Sequence, residues 1–158
     1  MKALDSAKAM LGALALGVGI AACGGAGGVD GPVLTSPSPG FFGGESLDGL
    51  VVGTLLFDED RGCLLLQHPD DERIRRAVVW PAGTSWQPAP ARVVLPDGQL
   101  VEPGMSVEGG GGYQSRAQVT EYAGSEVADS AATCVNARER IAVFNSDSEI
   151  VTTPAEST

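Results

Sequence analysis

Short apolar runs separated by polar turns dominate the chain after residue 46. Leu50–Phe57 is apolar at nearly every position, and the polar stretch Asp58–Gly62 separates it from a second run, Cys63–Gln67. Short runs rich in β-branched side chains and bounded by Gly, Pro and Asp are typical of β-strands. The two runs therefore predict a hairpin with a tight turn. Leu50–Phe57 should be a central strand, because both of its faces are apolar.

The same pattern recurs through the rest of this region. Further strands are predicted at Ile74–Trp80, Ala91–Leu95, Gln99–Val101, Met105–Glu108, Ala117–Tyr122 and Arg140–Phe144. Only Ser125–Thr133 has the composition of a helix, of one turn or two at most. Short strands with a turn about every 8–12 residues indicate a sandwich or a small barrel. We expect an all-β fold, a closed or partly open antiparallel barrel of the OB-like kind.

The first 22 residues have the pattern of a targeting segment. Met1–Lys8 contains two lysines, and Ala9–Ile20 is a continuous apolar run. As a helix this run spans ~18 Å, which is too short for a bilayer core of ~30 Å. A signal peptide over 1–22 is therefore predicted, rather than a permanent membrane span.

The residues that end this segment, Ile20-Ala21-Ala22-Cys23, resemble the lipobox of bacterial lipoproteins. The resemblance implies diacylglycerol on the thiol of Cys23 and cleavage just before it. An ordinary secretory signal followed by a chance cysteine is the alternative. The expected location is the outer face of the cell membrane. In a cell with two membranes, Gly24 after the lipidated cysteine favours the outer membrane.

Two polar segments flank the strand-rich region, which is assigned to a domain over residues 47–145. Residues 23–46 are rich in Gly, Pro and Ser, and such a segment buries too little apolar surface to order itself. A flexible tether with an r.m.s. reach of about 25–29 Å is predicted there. Residues 146–158 are expected to form a disordered polar tail.

The charge balance excludes one class of partner. Removing Lys2, Lys8 and Asp5 from 10 basic and 20 acidic residues leaves 8 arginines and 19 acids, a net charge of −11. Such a chain repels nucleic acid, whose binding relies on Lys and Arg. It also lacks the polybasic patch that would hold it on anionic lipid. The lipid on Cys23 is therefore the expected membrane contact.

Three cysteines is an odd number for an exported chain. If lipid occupies Cys23, the remaining pair is Cys63 and Cys134, and exported proteins fold in an oxidising compartment. A disulfide between them is predicted, with two free buried thiols as the alternative. In the chain-entropy model a loop of this length stabilises the fold by ~4 kcal/mol.

The residues that commonly carry catalysis are scarce. His68 is the only histidine, it precedes a proline in an acidic turn, and we interpret it as an exposed turn residue. There is no Gly-x-Ser-x-Gly element and no lysine after Cys23. Asp58, Glu59 and Asp60 are consecutive rather than spaced as calcium ligands, so a solvated turn is predicted. No catalytic residue, metal site or cofactor is assigned.

The remaining candidates are glycines and aromatic residues. Gly109–Gly112 lacks the Lys-Ser/Thr of a phosphate-binding loop, and a strand bulge or tight bend is predicted there. Trp80, Trp86 and Tyr113 could contact a sugar or an apolar ligand near a barrel mouth. For Trp80 a position in the core is the favoured alternative.

Four stretches resemble a group of small exported proteins and lipoproteins of high-GC bacteria that has no established activity. They are Gly53–Leu66, Val78–Trp86, Val93–Tyr113 and Cys134–Asn145. The resemblance implies a compact β domain with a Cys63–Cys134 bridge, and it names no substrate. Such relatives often carry Gly-Asp before the strand at 105–108, where this chain has Met105.

Three functions remain open. The first is a non-catalytic, membrane-anchored β domain that binds an envelope protein or has a structural role. The second is a carbohydrate- or peptidoglycan-binding module that uses Trp86 and Tyr113 to hold a cell-wall polymer. The third is an envelope enzyme, which the scarcity of catalytic groups disfavours.

Overall fold

A computed structural model of the protein describes residues 27–37, 47–136 and 138–154. These residues form eleven strands and two helices. In chain order the elements are β1 Gly28–Asp30, β2 Val33–Thr35, β3 Gly49–Asp58, β4 Cys63–His68, β5 Asp71–Trp80, β6 Ser85–Pro88, β7 Ala91–Val94, β8 Leu100–Val101, β9 Ser106–Gln114, α1 Arg116–Ala123, α2 Ser125–Cys134, β10 Ile141–Phe144 and β11 Ile150–Thr153.

Five strands close into a barrel, in the order β3-β4-β5-β10-β9 and back to β3. If these five strands are numbered 1 to 5 in chain order, their order around the barrel is 1-2-3-5-4 and back to 1. This is the order of an OB-like Greek-key barrel. The predicted fold class is therefore confirmed. One neighbouring pair, β5 with β10, is parallel, and the other barrel pairs are antiparallel.

Alternate residues of the barrel strands point inward and form the main core. On β5 these are Val78 and Trp80, and on β10 they are Ala142 and Phe144. The Trp80 and Phe144 rings stack with centroids 5.4 Å apart. A small sheet of β6, β7 and β8 adds Val93 and other buried residues to this core, so it closes one end of the barrel.

The glycines of β9 lie in regular strand, so of the predicted bulge or tight bend the bulge is wrong. Gly109 to Gly111 pair with β3, and the strand from Gly111 onward pairs with β10. Neither pairing has a register shift. A Cβ on Gly111 would lie 2.1 Å from the Val143 carbonyl oxygen, and one on Gly109 would lie 3.0 Å from the Phe144 ring. These positions are glycine because backbone and ring approach closely.

The two helices cover the outer face of β5 and β10. Ala77 and Val79 of β5 and Ile141 and Val143 of β10 meet buried helix residues in a second apolar cluster. The remaining members of this cluster are Leu34, Val119, Ala123, Val127, Ala128 and Ala131. β10 is thus buried on both faces, which explains its continuous apolar run.

The strand predicted over Ala117–Tyr122 is wrong, because these residues belong to α1. The helix starts with a capping box, in which Ser115 and Gln118 each bond the other's backbone N–H. This local signal specifies a helix start. α2 is ten residues long, which exceeds the one or two turns predicted.

Both predicted flexible flanks contain ordered strands. Within the predicted tether 23–46, β1 and β2 form a hairpin, and β2 pairs in parallel with β5. Val33 is fully buried in the barrel core. Within the predicted tail 146–158, β11 pairs with β9 and Ile150 is buried. The domain therefore extends beyond 47–145 on both sides.

Candidate functional site

The disulfide is the most distinctive feature outside the core. Cys63 opens β4 and Cys134 ends α2, and their Cα atoms lie 5.7 Å apart. The predicted pairing is confirmed. The bridge connects the barrel wall to the end of the helical layer, because one cysteine lies in each.

A groove of about 270 Å³ lies beside this bridge, on the outward face of the β4–β5 hairpin. Leu66 points into the barrel, so its neighbour Leu65 points outward and forms part of the groove floor. The full lining is Asp58, Arg61, Leu65, Arg73, Arg75, Cys134, Val135, Asn136 and Glu139. Three of the eight arginines after Cys23 therefore meet on one surface.

The two carboxylates of the groove already receive hydrogen bonds. Asp58 accepts from the Arg61 backbone N–H at 3.2 Å, and Glu139 accepts from the Asn136 amide at 3.0 Å. The Arg61 guanidinium makes only long contacts, 3.4 Å to the Cys134 carbonyl oxygen and 3.8 Å to Asp58. The Arg61 N–H donors are thus not fully used by the carboxylates of the groove.

The other two arginines of the groove differ from each other. The Arg73 guanidinium donates to both oxygens of Asp71 at 3.0 Å. This side-chain contact, with a bond from the Arg73 backbone N–H, holds the pKa of Asp71 below its usual value. The same pair raises the pKa of Arg73. The exposed Arg75 side chain forms no hydrogen bond or ion pair with the described residues, so its guanidinium is available to a partner.

The three aromatic candidates lie in different places. Trp80 is fully buried in the core. Trp86 is half-buried against Phe57, with ring centroids 4.9 Å apart. β3 pairs with β9 from Gly49 opposite Gly111 to Thr54 opposite Ser106, so Phe57 and Tyr113 lie at opposite ends of the barrel. The structure does not combine these aromatic residues into one platform.

Tyr113 has an internal role at its end of the barrel. Its hydroxyl accepts from the Val52 backbone N–H at 3.3 Å and lies 3.4 Å from the Val52 carbonyl oxygen. The Arg76 guanidinium lies 4.6 Å from the ring centroid, within range of a cation–π contact. Arg76 lies on β5 and Tyr113 on β9, which are not adjacent strands, so the barrel closure brings the two side chains together.

The acidic turn after β3 is solvated, as predicted. Glu59 and Asp60 are exposed, and the Asp58 side chain is 31% exposed to solvent. His68 ends β4 and is half-buried rather than exposed; its Nδ1 accepts from the Asp70 backbone N–H at 3.1 Å. This bond fits a structural role in the turn.

A second cleft, of about 290 Å³, lies near the end of β5. Its lining combines prolines and a leucine with the loop that joins β10 to β11. The lining residues are Pro81, Leu95, Pro96, Asp97, Ser146, Asp147, Ser148, Glu149 and Ile150. Its charged groups are all acidic, so it offers no cation to an acidic ligand.

Cys23 and the proposed lipobox lie outside the described residues. Within the parts of the chain that the structure describes, no helix is long and apolar enough to cross a membrane. Over the same residues, no three His, Cys, Asp or Glu side chains are grouped so that they could hold a metal ion.

Comparison with protein-family models, with curated proteins and with solved structures found no match to this chain. The function must therefore be argued from the residues and geometry described above.

Proposed function

We propose that this chain is an exported bacterial lipoprotein whose OB-like domain is a non-catalytic binding module at the membrane surface. The Cys63–Cys134 disulfide carries the proposal. Disulfides persist in oxidising, extracytoplasmic compartments and are rare in the cytosol of most bacteria. The bridge also occupies both cysteines that follow Cys23, so Cys23 remains for lipid.

The groove beside the disulfide is the proposed binding surface. The Arg75 guanidinium has no hydrogen-bond or ion-pair partner among the described residues, and the Arg61 guanidinium has only long contacts. The groove acids are bonded within the domain. Guanidinium groups recognise carboxylate and phosphate oxygens through paired N–H donors. A polar partner that carries such groups, on an envelope protein or a wall polymer, suits this surface.

Carbohydrate binding through aromatic residues is the alternative. It requires exposed rings that a sugar can stack on. Trp80 is fully buried, and the Tyr113 hydroxyl is hydrogen-bonded to the Val52 backbone on the neighbouring strand β3. Trp86 differs from both. Its ring is only half-buried, and its side chain makes no hydrogen bond to the described residues. This alternative therefore depends on Trp86.

Membrane attachment is tested with the full chain expressed in a bacterial host. We expect the wild type in the membrane fraction, with an intact mass that includes diacylglycerol on Cys23. Cys23→Ala should lose the lipid and fail to stay on the membrane as a processed chain. Cys63→Ser is the matched control, since it removes a different thiol and should leave the lipid in place. A wild-type chain that is processed and unmodified at its N-terminus would contradict the proposal.

The binding surface is tested by co-sedimentation of the purified lipoprotein with isolated cell-wall polymer and by cross-linking in whole cells. The double variant Arg61→Gln, Arg75→Gln should lose most of the captured partner, whereas Trp86→Ala should retain it. The reverse result would favour the carbohydrate-binding alternative. Circular dichroism must show both variants folded before the comparison is made.

A further inference from the structure

The part of the domain that the structure describes starts very close to the proposed lipid site. Gly27 is the first described residue, and its backbone N–H donates to the Ala123 carbonyl oxygen at 3.0 Å. The next residue, Gly28, donates to the Thr35 hydroxyl at 3.0 Å. Only Gly24, Gly25 and Ala26 separate Gly27 from Cys23. The chain is thus fixed to the domain within four residues of Cys23.

The hairpin that follows is firmly held. β2 pairs with β5, and the Ser36 backbone N–H donates to the Trp80 carbonyl oxygen at 2.8 Å. Val33 is buried in the barrel core, and Leu34 is buried in the helix-covered cluster. Releasing the hairpin would expose both apolar side chains to water, which is unfavourable. The hairpin therefore does not serve as free tether.

We infer that the lipid holds the domain directly against the bilayer, with the start of the β1–β2 hairpin facing the phospholipid headgroups. This inference rests on the lipidation of Cys23 proposed above. Four Cα steps of about 3.3–3.6 Å limit the distance from Cys23 to Gly27 to roughly 14 Å. A free tether over residues 23–46 would instead give an r.m.s. reach of about 25–29 Å.

The geometry of the hairpin defines which face is near the membrane. Gly27 contacts Ala123 at the junction between α1 and α2, and Ser36 bonds to Trp80 at the C-terminal end of β5. Val29 of β1 is 40% exposed beside this junction. Asp70 directly precedes β5 at the opposite end of the strand. Along β5 it lies about 30 Å from Trp80. Val29 is therefore a membrane-proximal position and Asp70 a distal one.

Close packing fixes Gly27 at this contact. A Cβ on residue 27 would lie 2.2 Å from the Thr35 carbonyl oxygen and 2.9 Å from the Ala123 carbonyl oxygen. The acidic chain has no polybasic segment to attract anionic lipid. The length of chain between Cys23 and Gly27, rather than charge, therefore limits the distance between the domain and the bilayer. The orientation of the domain on the bilayer should persist when the salt concentration is raised.

The test uses lipidated full-length protein reconstituted in vesicles of phosphatidylcholine and phosphatidylglycerol with a headgroup-labelled acceptor lipid. A donor dye is placed at Val29→Cys or at Asp70→Cys in separate samples. Cys23 is blocked by lipid and the other two cysteines are paired, so each introduced thiol is the single reactive one. A further pair of samples carries a Gly-Ser insert of about 20 residues after Ala26, which adds an r.m.s. reach of roughly 22–27 Å.

We expect higher energy transfer from position 29 than from position 70, at both low and high salt, and loss of most of that difference with the insert. Equal transfer from the two positions in lipidated protein without the insert would overturn the inference and leave the proposed function intact. An intact mass without lipid on Cys23 would overturn both. The mass measurement and the dye measurement thus separate the two failures.

Discussion

The barrel interior and the helix-covered layer share the same two strands but are filled differently. The interior between β5 and β10 contains the stacked rings of Trp80 and Phe144. The outer layer is filled mainly with small side chains, including Ala128 and Ala131 of α2. Among the described residues, the interior therefore holds the two largest fully buried side chains, whereas the outer layer consists mostly of alanine and valine.

This difference explains the position of the disulfide. α1 buries only Val119 and Ala123, and α2 buries only Val127, Ala128 and Ala131. Small side chains remove little apolar area from water, so this layer gains less from burial than the barrel does. Cys134 ends α2 and is joined to Cys63 on the barrel. The covalent bond thus ties the helical layer, with its small buried side chains, to the barrel.

The largest expected loss follows from emptying the interior. Phe144→Ala removes a fully buried ring that stacks on Trp80. We expect a loss of about 3–5 kcal/mol in the free energy of unfolding, measured by urea denaturation. Phe144→Leu is the control and should cost less, because it retains most of the volume. Equal losses in the two variants would show that the interior is not closely packed.

Breaking the bridge should be the next largest effect. Cys63→Ser, Cys134→Ser and the double variant should each lose between about 2 and 4 kcal/mol, since each breaks the same bond. Thermal melts with and without reducing agent provide the measurement. Reductant should lower the Tm of the wild type and leave the variants nearly unchanged. If denatured, unreduced wild type contains two free thiols, the pairing is absent in the protein.

Overfilling the helix-covered layer tests its close packing. Ala128→Leu adds three carbons to a fully buried position and should cost about 1–3 kcal/mol. Ala117→Leu on the exposed surface of α1 is the matched control and should change stability by less than about 0.5 kcal/mol. A neutral Ala128→Leu would indicate that the layer contains unfilled space.

The smallest effect is expected outside both regions, at the exposed Asp71–Arg73 pair. The pair holds the pKa of Asp71 in the folded state below 3.8. Its contribution is therefore present above about pH 3.8 and is lost as the pH falls through the lower folded-state pKa. Urea denaturation of wild type and Asp71→Asn from pH 7 to pH 2 should show a small difference that disappears at the acid end. Asp70→Asn is the control, and a constant difference down to pH 2 would contradict the assignment.

Much of the barrel could be predicted from residue patterns, because buried strands leave a local signal. β3, β4 and β5 follow their apolar runs, and the cysteine count led to the correct bridge. Helix α1 was missed because Ala117 and Val119 alternate as in a strand, although Val119, Tyr122 and Ala123 have helical spacing. The capping residues Ser115 and Gln118 held the information that distinguishes the two.

The short terminal strands and the groove could not be predicted in this way. β1, β2 and β11 have three or four residues each, and their order comes from pairing with distant strands rather than from their own composition. Arg61 and Arg75 reach one groove only because the β3–β4 and β4–β5 turns bring them beside α2. Such surfaces depend on the three-dimensional path of the chain.

The disulfide also limits how far this protein can be stretched. If the domain unfolds under tension, the chain from Cys63 to Cys134, a sequence separation of 71, stays closed in a loop. At about 3.3–3.6 Å per residue, roughly 240 Å of chain cannot be drawn out until the bond is reduced. The maximum extension of the unfolded chain therefore differs between the oxidised and the reduced protein.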